Sequence, residues 1–205
     1  MKIVDLTPEH EPDYLCCLEP WSDDMKDAGD IKSRWYDRMK DQGLVVKLAL
    51  LDDGQVGGMI QAWPVEHSWL DGRDCYAIGC TWVHAHKGKG VGDQRGKGIG
   101  RTLLDAAERE VQARGAQGMA AWGLWIPVWM KSSWYRKRGY RHADWQGMIQ
   151  LVFKPFGRKL SVIKIKLISC NFISITIVPG IFSTEQIDII LVINRQYFHG
   201  VSNRA

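Results

Sequence analysis

Arg95-Gly96-Lys97-Gly98-Ile99-Gly100, running on into Arg101-Thr102-Leu103-Leu104-Asp105-Ala106-Ala107-Glu108, decides how this chain is read. Small residues let a ligand approach the backbone, basic ones favour an anion, and an apolar stripe begins where the glycines end. Ile99, Leu103, Ala107 and Val111 recur every four residues and, joined by Leu104, give one face of a helix from Gly98 to about Arg114, stopped by Gly115. A helix start leaves amides unpaired and concentrates roughly half a positive charge there. The segment therefore suits a phosphate group.

Three glycine patterns compete for it. A P-loop needs G-x-x-x-x-G-K-[ST], but counted back from Gly96-Lys97 its leading position is Val91 and its trailing one Gly98. A dinucleotide fingerprint needs G-x-G-x-x-G, and the third position falls on Arg101, or on Arg95 if counted from Gly90. What fits is R-x-x-G-x-G before a helix. Taken alone, that pattern also describes a flexible basic loop. A second stretch, Ser132-Ser133-Trp134-Tyr135-Arg136-Lys137-Arg138-Gly139-Tyr140, follows after one helix and one strand. In this order and spacing the two motifs resemble the GCN5-related N-acetyltransferases (GNAT), which bind acetyl-coenzyme A.

The rest of the pattern agrees with that resemblance. Strands are expected at Met1–Leu6, Leu44–Leu51, Val56–Trp63, Cys75–Val83 and Gly118–Trp125, with a closing hairpin at His142–Asp144 and Gly147–Phe153. Thr7-Pro8 signals a helix start, Ile31–Gln42 a helix closed by Gly43, and Ser132–Arg138 a short helix. This order predicts an α+β fold: a mixed, mostly antiparallel central sheet with helices on both faces, the acyl-CoA N-acyltransferase fold by resemblance. A domain over residues 1–156 is expected, with residues 157–205 an extension of different character. All ten tryptophans lie at or before Trp145, whereas isoleucines crowd the tail. Such β-branched runs mean strand more often than membrane span, and no function is assigned to them.

Composition narrows the class. With 205 residues, 45% hydrophobic, and a net charge of +4, the chain can bury a core and is too mildly basic to imply nucleic acid. It carries no recognised nucleic-acid-binding motif. Five cysteines without a C-x-x-C pair name neither a disulfide framework nor a metal site. A reducing cytoplasmic setting is the expectation. Acidic residues crowd positions 1–30, with Lys2 and Lys26 the only lysines among them.

The resemblance also implies roles. Arg95, Gly96, Lys97, Gly98, Ile99, Gly100 and Arg101 would grip the pyrophosphate of acetyl-CoA, and Lys87 and Lys89 lie in the same basic stretch. A backbone amide near Trp82 and Val83 would meet the developing oxyanion. Tyr135 would be the general acid for the departing sulfur, since a phenol keeps its proton at neutral pH yet can give it to a thiolate. Packing of the short helix is its competing role. Family members often carry a glutamate on the strand before the loop, but Cys75–Val83 has no carboxylate. His84, at the strand's end, and Glu66-His67, after the preceding strand, are the base candidates; a surface position is the competing reading of each. Trp63, Trp69, Trp82, Trp122, Trp125, Trp129 and Trp134 cluster around the expected cleft and could wall it, but core packing is the preferred reading. The expected partner is a small-molecule or peptide amine, with no nucleic acid or membrane, and a homodimer is compatible. An acyl-CoA-binding module without activity is the rival function.

Overall fold

The computed structural model of the chain describes residues 1–126 and 130–157, together with the backbone of 166–167. Strand β1 (Lys2–Asp5) leads through a 3-10 turn (Pro8–His10) to α1 (Glu11–Leu15), α2 (Asp23–Met39), β2 (Val45–Leu50) and β3 (Val56–Pro64). A second 3-10 turn (Val65–His67) precedes β4 (Leu70–Asp71), β5 (Tyr76–Val83), α3 (Ile99–Ala113) and β6 (Gly118–Leu124). Then come α4 (Ser132–Arg136), β7 (Arg141–Gln146), β8 (Ile149–Pro155) and β9 (Lys166–Leu167). Seven strands form one sheet in the order β1-β2-β3-β5-β6-β8-β7, and β4 pairs with β9 in a two-residue ladder. Each neighbouring pair in the large sheet is antiparallel except β5–β6. This is the mixed α+β sheet that the sequence predicts.

Two helices begin differently from expectation. Thr7 makes no side-chain cap, and Pro8 opens a 3-10 turn instead of a longer helix. Helix α2 starts at Asp23 rather than Ile31. Ser22 accepts the Met25 amide at 3.4 Å, and Asp23 and Asp24 complement the positive end of the helix. The inward face of α2 is Met25, Gly29, Lys32, Trp35 and Met39. Gly29 and Lys32 hide that stripe from a search for apolar periodicity. Buried Lys32 donates to the Tyr14 carbonyl and lies 3.7 Å from the Tyr14 ring centroid, so its charge is met on two sides.

The core divides by sheet face. Ile99, Leu103, Leu104, Ala107 and Val111 of α3 pack with Ile60, Ile78, Met119 and Tyr135 on one face. Tyr14, Trp35 and Met39 of the first two helices pack with Leu48, Met59 and Trp63 on the other. The tryptophans divide accordingly, several of them into the cores. Trp63 meets Trp35 in the second core, with ring centroids 5.0 Å apart, and Trp69 meets Trp122 in a third core. Trp125 stands exposed beside Trp145. Trp82 and Trp134 lie toward the C-terminal end of β5, and Trp129 lies outside the described residues.

Gly79 is a place where the backbone admits no side chain. The β3–β5 register passes from Gln61↔Cys80 to Ala62↔Ile78, leaving Gly79 as the extra residue of a bulge. A Cβ there would fall 1.8 Å from Cη2 of Trp63, which Trp35 holds in place. Gly79→Ala is therefore expected to cost about 3 kcal/mol through overpacking, a fall of roughly 10 °C in thermal midpoint for a chain of this size. An unchanged midpoint would show that Trp63 is not fixed.

Burial also sets an alkaline limit on stability. Desolvation pushes the Cys75 thiol and the Tyr135 phenol up to about 12, and raises Tyr14 and Tyr140 well above the ordinary phenol. The unfolded thiol titrates near 8.5 and the phenol near 10. Stability from holding these groups neutral is thus complete below the unfolded values and is lost as pH climbs toward 12. Thermal midpoints should stay level to about pH 8.5 and decline beyond it; a midpoint still level at pH 11 would contradict this.

Candidate active site

The parallel pair β5–β6 is joined over only two positions, Tyr76↔Met119 and Ala77↔Ala120. Past them β5 stays with β3 and β6 stays with β8, so the sheet opens into a wedge at the C-terminal end of β5. Main-chain groups along such an opening lack a strand partner and are free to meet an extended ligand. Trp82 and Val83 lie on β5 at this end, paired with Met59 and Gly58 of β3.

The glycine loop continues directly from there. Its base is fastened by backbone bonds from His84 N to the Gly57 carbonyl (3.0 Å) and from Gln94 N to the His84 carbonyl (2.8 Å). The loop ends at Gly98, whose φ of +82° and ψ of −6° start α3 from a left-handed turn. A Cβ on Gly98 would meet nothing within 4 Å. The glycine is needed there for its backbone angle, not for space. No side chain caps α3, and its first turn holds no acidic residue. Thr102 is the first residue to bond back, to the Gly98 carbonyl at 3.1 Å, so helical geometry leaves the amides of Ile99, Gly100 and Arg101 without acceptors in α3. Three such amides at a helix start make a cradle that suits a phosphate group.

The basic side chains of the loop are placed less uniformly. Arg101 is exposed and 3.7 Å from Asp105, and Lys97 donates to Gln94 at 2.9 Å. Arg95 turns onto Asp93, with Nε and Nη2 at 2.9 and 2.7 Å from its two oxygens, which holds the Asp93 carboxyl well below the usual range. The charge expected of Arg95 at a phosphate is thus engaged by Asp93. Arg138 was not singled out by sequence. It stacks 3.8 Å from the Trp134 ring centroid, and burial followed by repulsion from Arg101 lowers its pKa. The two guanidiniums therefore share one side of the cradle. Trp134 also lies against the first turn of α3, where a Cβ on Gly100 would sit 3.3 Å from its ring.

Tyr135 is carried to the wedge by α4. Gly123 lets that segment close on β6, since a Cβ there would fall 2.5 Å from the Met130 carbonyl. Ser132 then donates to Gln150 of β8. The Tyr135 hydroxyl lies 3.2 Å from Oγ1 of Thr81 on β5, and its ring packs on Trp134 and Tyr140. Burial raises the phenol to about 12, with the Thr81 bond pulling slightly the other way. The group holds its proton at neutral pH and is aimed at the strand that borders the wedge.

The base candidates separate. Glu66 and His67 belong to the turn before β4, where Glu66 accepts the amide of Asp74, two residues before β5. An eight-residue strand of about 25 Å lies between them and Val83. His84 is not on the surface: it is 1% exposed. Its Nδ1 lies 2.6 Å from the Gly92 carbonyl, so that nitrogen carries the proton, and Trp21 and Gly90 close over the rest of the ring. The neighbour at His86 was missed. Its Nε2 lies 3.0 Å from Oε1 of Glu19, a carboxylate that is itself 1% exposed. The alternation His84-Ala85-His86 beside an otherwise carboxylate-free strand was the available signal.

Residues 3–140 match the model of the acetyltransferase (GNAT) family. No curated protein matches the chain. Among solved structures, an aminoglycoside 6'-acetyltransferase type Ii is similar at 18% identity and a TM-score of 0.57, covering 78% of this chain and all of its own. The PaiA N-acetyltransferase of Thermoplasma acidophilum, in complex with coenzyme A, is 17% identical over 76% of this chain and 100% of its own, TM-score 0.55. The GNAT N-acetyltransferase YhbS of Escherichia coli, also with coenzyme A, is 17% identical over 81% and 88%, TM-score 0.56. These likenesses establish the fold. Among the described residues no helix is long and apolar enough to cross a membrane. With the glycine cradle, the wedge and the family match together, the chain belongs to the GNAT family and is an N-acetyltransferase.

Proposed function

We propose that this enzyme transfers the acetyl group to the primary amine of a small-molecule or peptide acceptor by direct attack while both substrates are bound. The observation that carries this reading is the Tyr135 hydroxyl beside Thr81 near the opened end of β5, from which the loop of residues 84–98 leads to the uncapped start of α3. Backbone amides at Ile99–Arg101 hold the pyrophosphate of acetyl-CoA, and the sulfur end then points along β5. A main-chain amide near Trp82–Val83 meets the charge that develops on the carbonyl oxygen. Tyr135 gives its proton to the leaving sulfur, which makes expulsion of the thiolate easier. No covalent acetyl-enzyme is needed, because the amine attacks the thioester carbon itself.

Release of free coenzyme A is the direct measurement. Polyamines, amino acids, aminoglycosides, aromatic amines, simple alkylamines and peptide N-termini form the acceptor panel. Amine-dependent thiol release supports transfer. Thermal stabilisation by acetyl-CoA without thiol release from any amine would favour an acyl-CoA-binding module instead.

A further inference from the structure

Glu19 is the most deeply buried carboxylate of the acidic N-terminal region, and its environment is unusual. One oxygen accepts from His86 Nε2 at 3.0 Å; the other is buried with no partner among the described residues. A carboxylate taken out of water at such cost needs a cation or a strong donor beside it. His86 is the group in position. The chain is also bent to deliver Glu19 there, because Cys17 and Leu18, which precede it, both adopt left-handed φ of 53° and 64°. Two successive non-glycine residues in that region store strain, which persists where surrounding structure requires it.

The surroundings of His86 give the pair its direction. Trp21, His84 and Trp82 border the ring at centroid distances of 5.8, 5.8 and 6.5 Å. With Nε2–H given to Glu19, Nδ1 carries the lone pair, and the side chain remains 32% exposed. Trp82 belongs to the core beneath the first two helices, whereas Val83 packs in the α3 core and Thr81 meets Tyr135. His86 and Tyr135 thus flank the end of β5 from opposite faces. That is the arrangement in which one group can receive a proton from an incoming amine while the other supplies one to sulfur.

The geometry points to His86 as the catalytic base that deprotonates the acceptor ammonium, with Glu19 as the positioning residue that fixes its tautomer and steadies the imidazolium. The inference rests on the acetyl-transfer reading above. His86 takes one proton from the ammonium; the freed nitrogen lone pair forms the C–N bond, and the C–S bond breaks. Tyr135 protonates the sulfur and is restored, through water, by the second proton leaving the acetylated nitrogen. His86 returns its own proton to solvent. The products are an acetamide, coenzyme A thiol and one proton.

Two isosteric amines separate this role from a structural one. 2-Phenylethylamine is protonated at neutral pH, whereas O-benzylhydroxylamine has the same shape and is already neutral. For His86→Gln at pH 7, kcat/KM for 2-phenylethylamine should fall about a hundredfold, with a change below about threefold for O-benzylhydroxylamine. Glu19→Gln should show the same selectivity at about tenfold, and thermal melts monitor the fold of both. Equal losses for the two amines, or no loss in His86→Gln, overturn the base assignment while leaving acetyl transfer intact. Failure of the unaltered enzyme to acetylate any amine of the panel overturns the transfer reading and this inference with it.

Discussion

Tyr135→Phe is expected to lower kcat about a hundredfold, within the range for losing a positioned general acid, while the affinity for coenzyme A stays within about twofold. The substitution removes one hydroxyl and its 3.2 Å contact with Thr81, but keeps the ring that packs on Trp134 and Tyr140. Loss of a single neutral hydrogen bond changes stability by about 1 kcal/mol, so the protein should fold normally. The large effect falls on the chemical step because the proton is needed only when the C–S bond breaks. With the phenol raised to about 12 by burial, turnover should show no alkaline fall from Tyr135 below about pH 11. Thiol release with the best amine of the panel checks both statements. Undiminished kcat in the phenylalanine variant would leave Tyr135 a packing residue.

Gly100→Asp should weaken coenzyme A binding about a hundredfold without unfolding the domain. Position 100 lies in the first turn of α3, where a carboxylate stabilises a helix by roughly 0.3–1 kcal/mol. A Cβ there meets Trp134 at 3.3 Å and Val83 at 3.5 Å, contacts that a small shift relieves. The same carboxylate stands where the amides should receive a pyrophosphate. Like charges at about 4 Å repel by about 4 kcal/mol at an effective dielectric of 20, so a hundredfold loss is a moderate expectation. Gly100→Ala is the control and should bind nearly as the unaltered protein does. Calorimetric titration with coenzyme A distinguishes the cases; equal affinity for all three proteins would place the pyrophosphate away from α3.

The stretch around α3 was legible because its physics is local. A left-handed glycine, an uncapped helix start and a four-residue apolar repeat are written in consecutive residues, and the structure places Gly98, Ile99 and Leu103 accordingly. Strand order near the site was legible for the same reason, with Asp52–Gln55 and Gly147 turning adjacent strands back on themselves. Helix α2 was read short because Lys32 occupies a core position, and its burial depends on the Tyr14 carbonyl and ring, contacts made across the chain. The choice between cleft wall and core for the tryptophans was not legible, because it depends on which sheet face each one meets, and Trp63 and Trp122 end in different cores.

By itself, the sequence determined the family, the α+β order of elements, the glycine start of α3 and the short helix that carries Tyr135. Each depends on residues whose spacing matches a helix turn or a strand repeat, so neighbours in the chain suffice. Tertiary structure alone decided that His84 is buried under Trp21 and that Glu19 meets His86. Burial and ion pairing between residues as far apart as positions 19 and 86 are fixed by how layers close over one another, and no local periodicity encodes that closure.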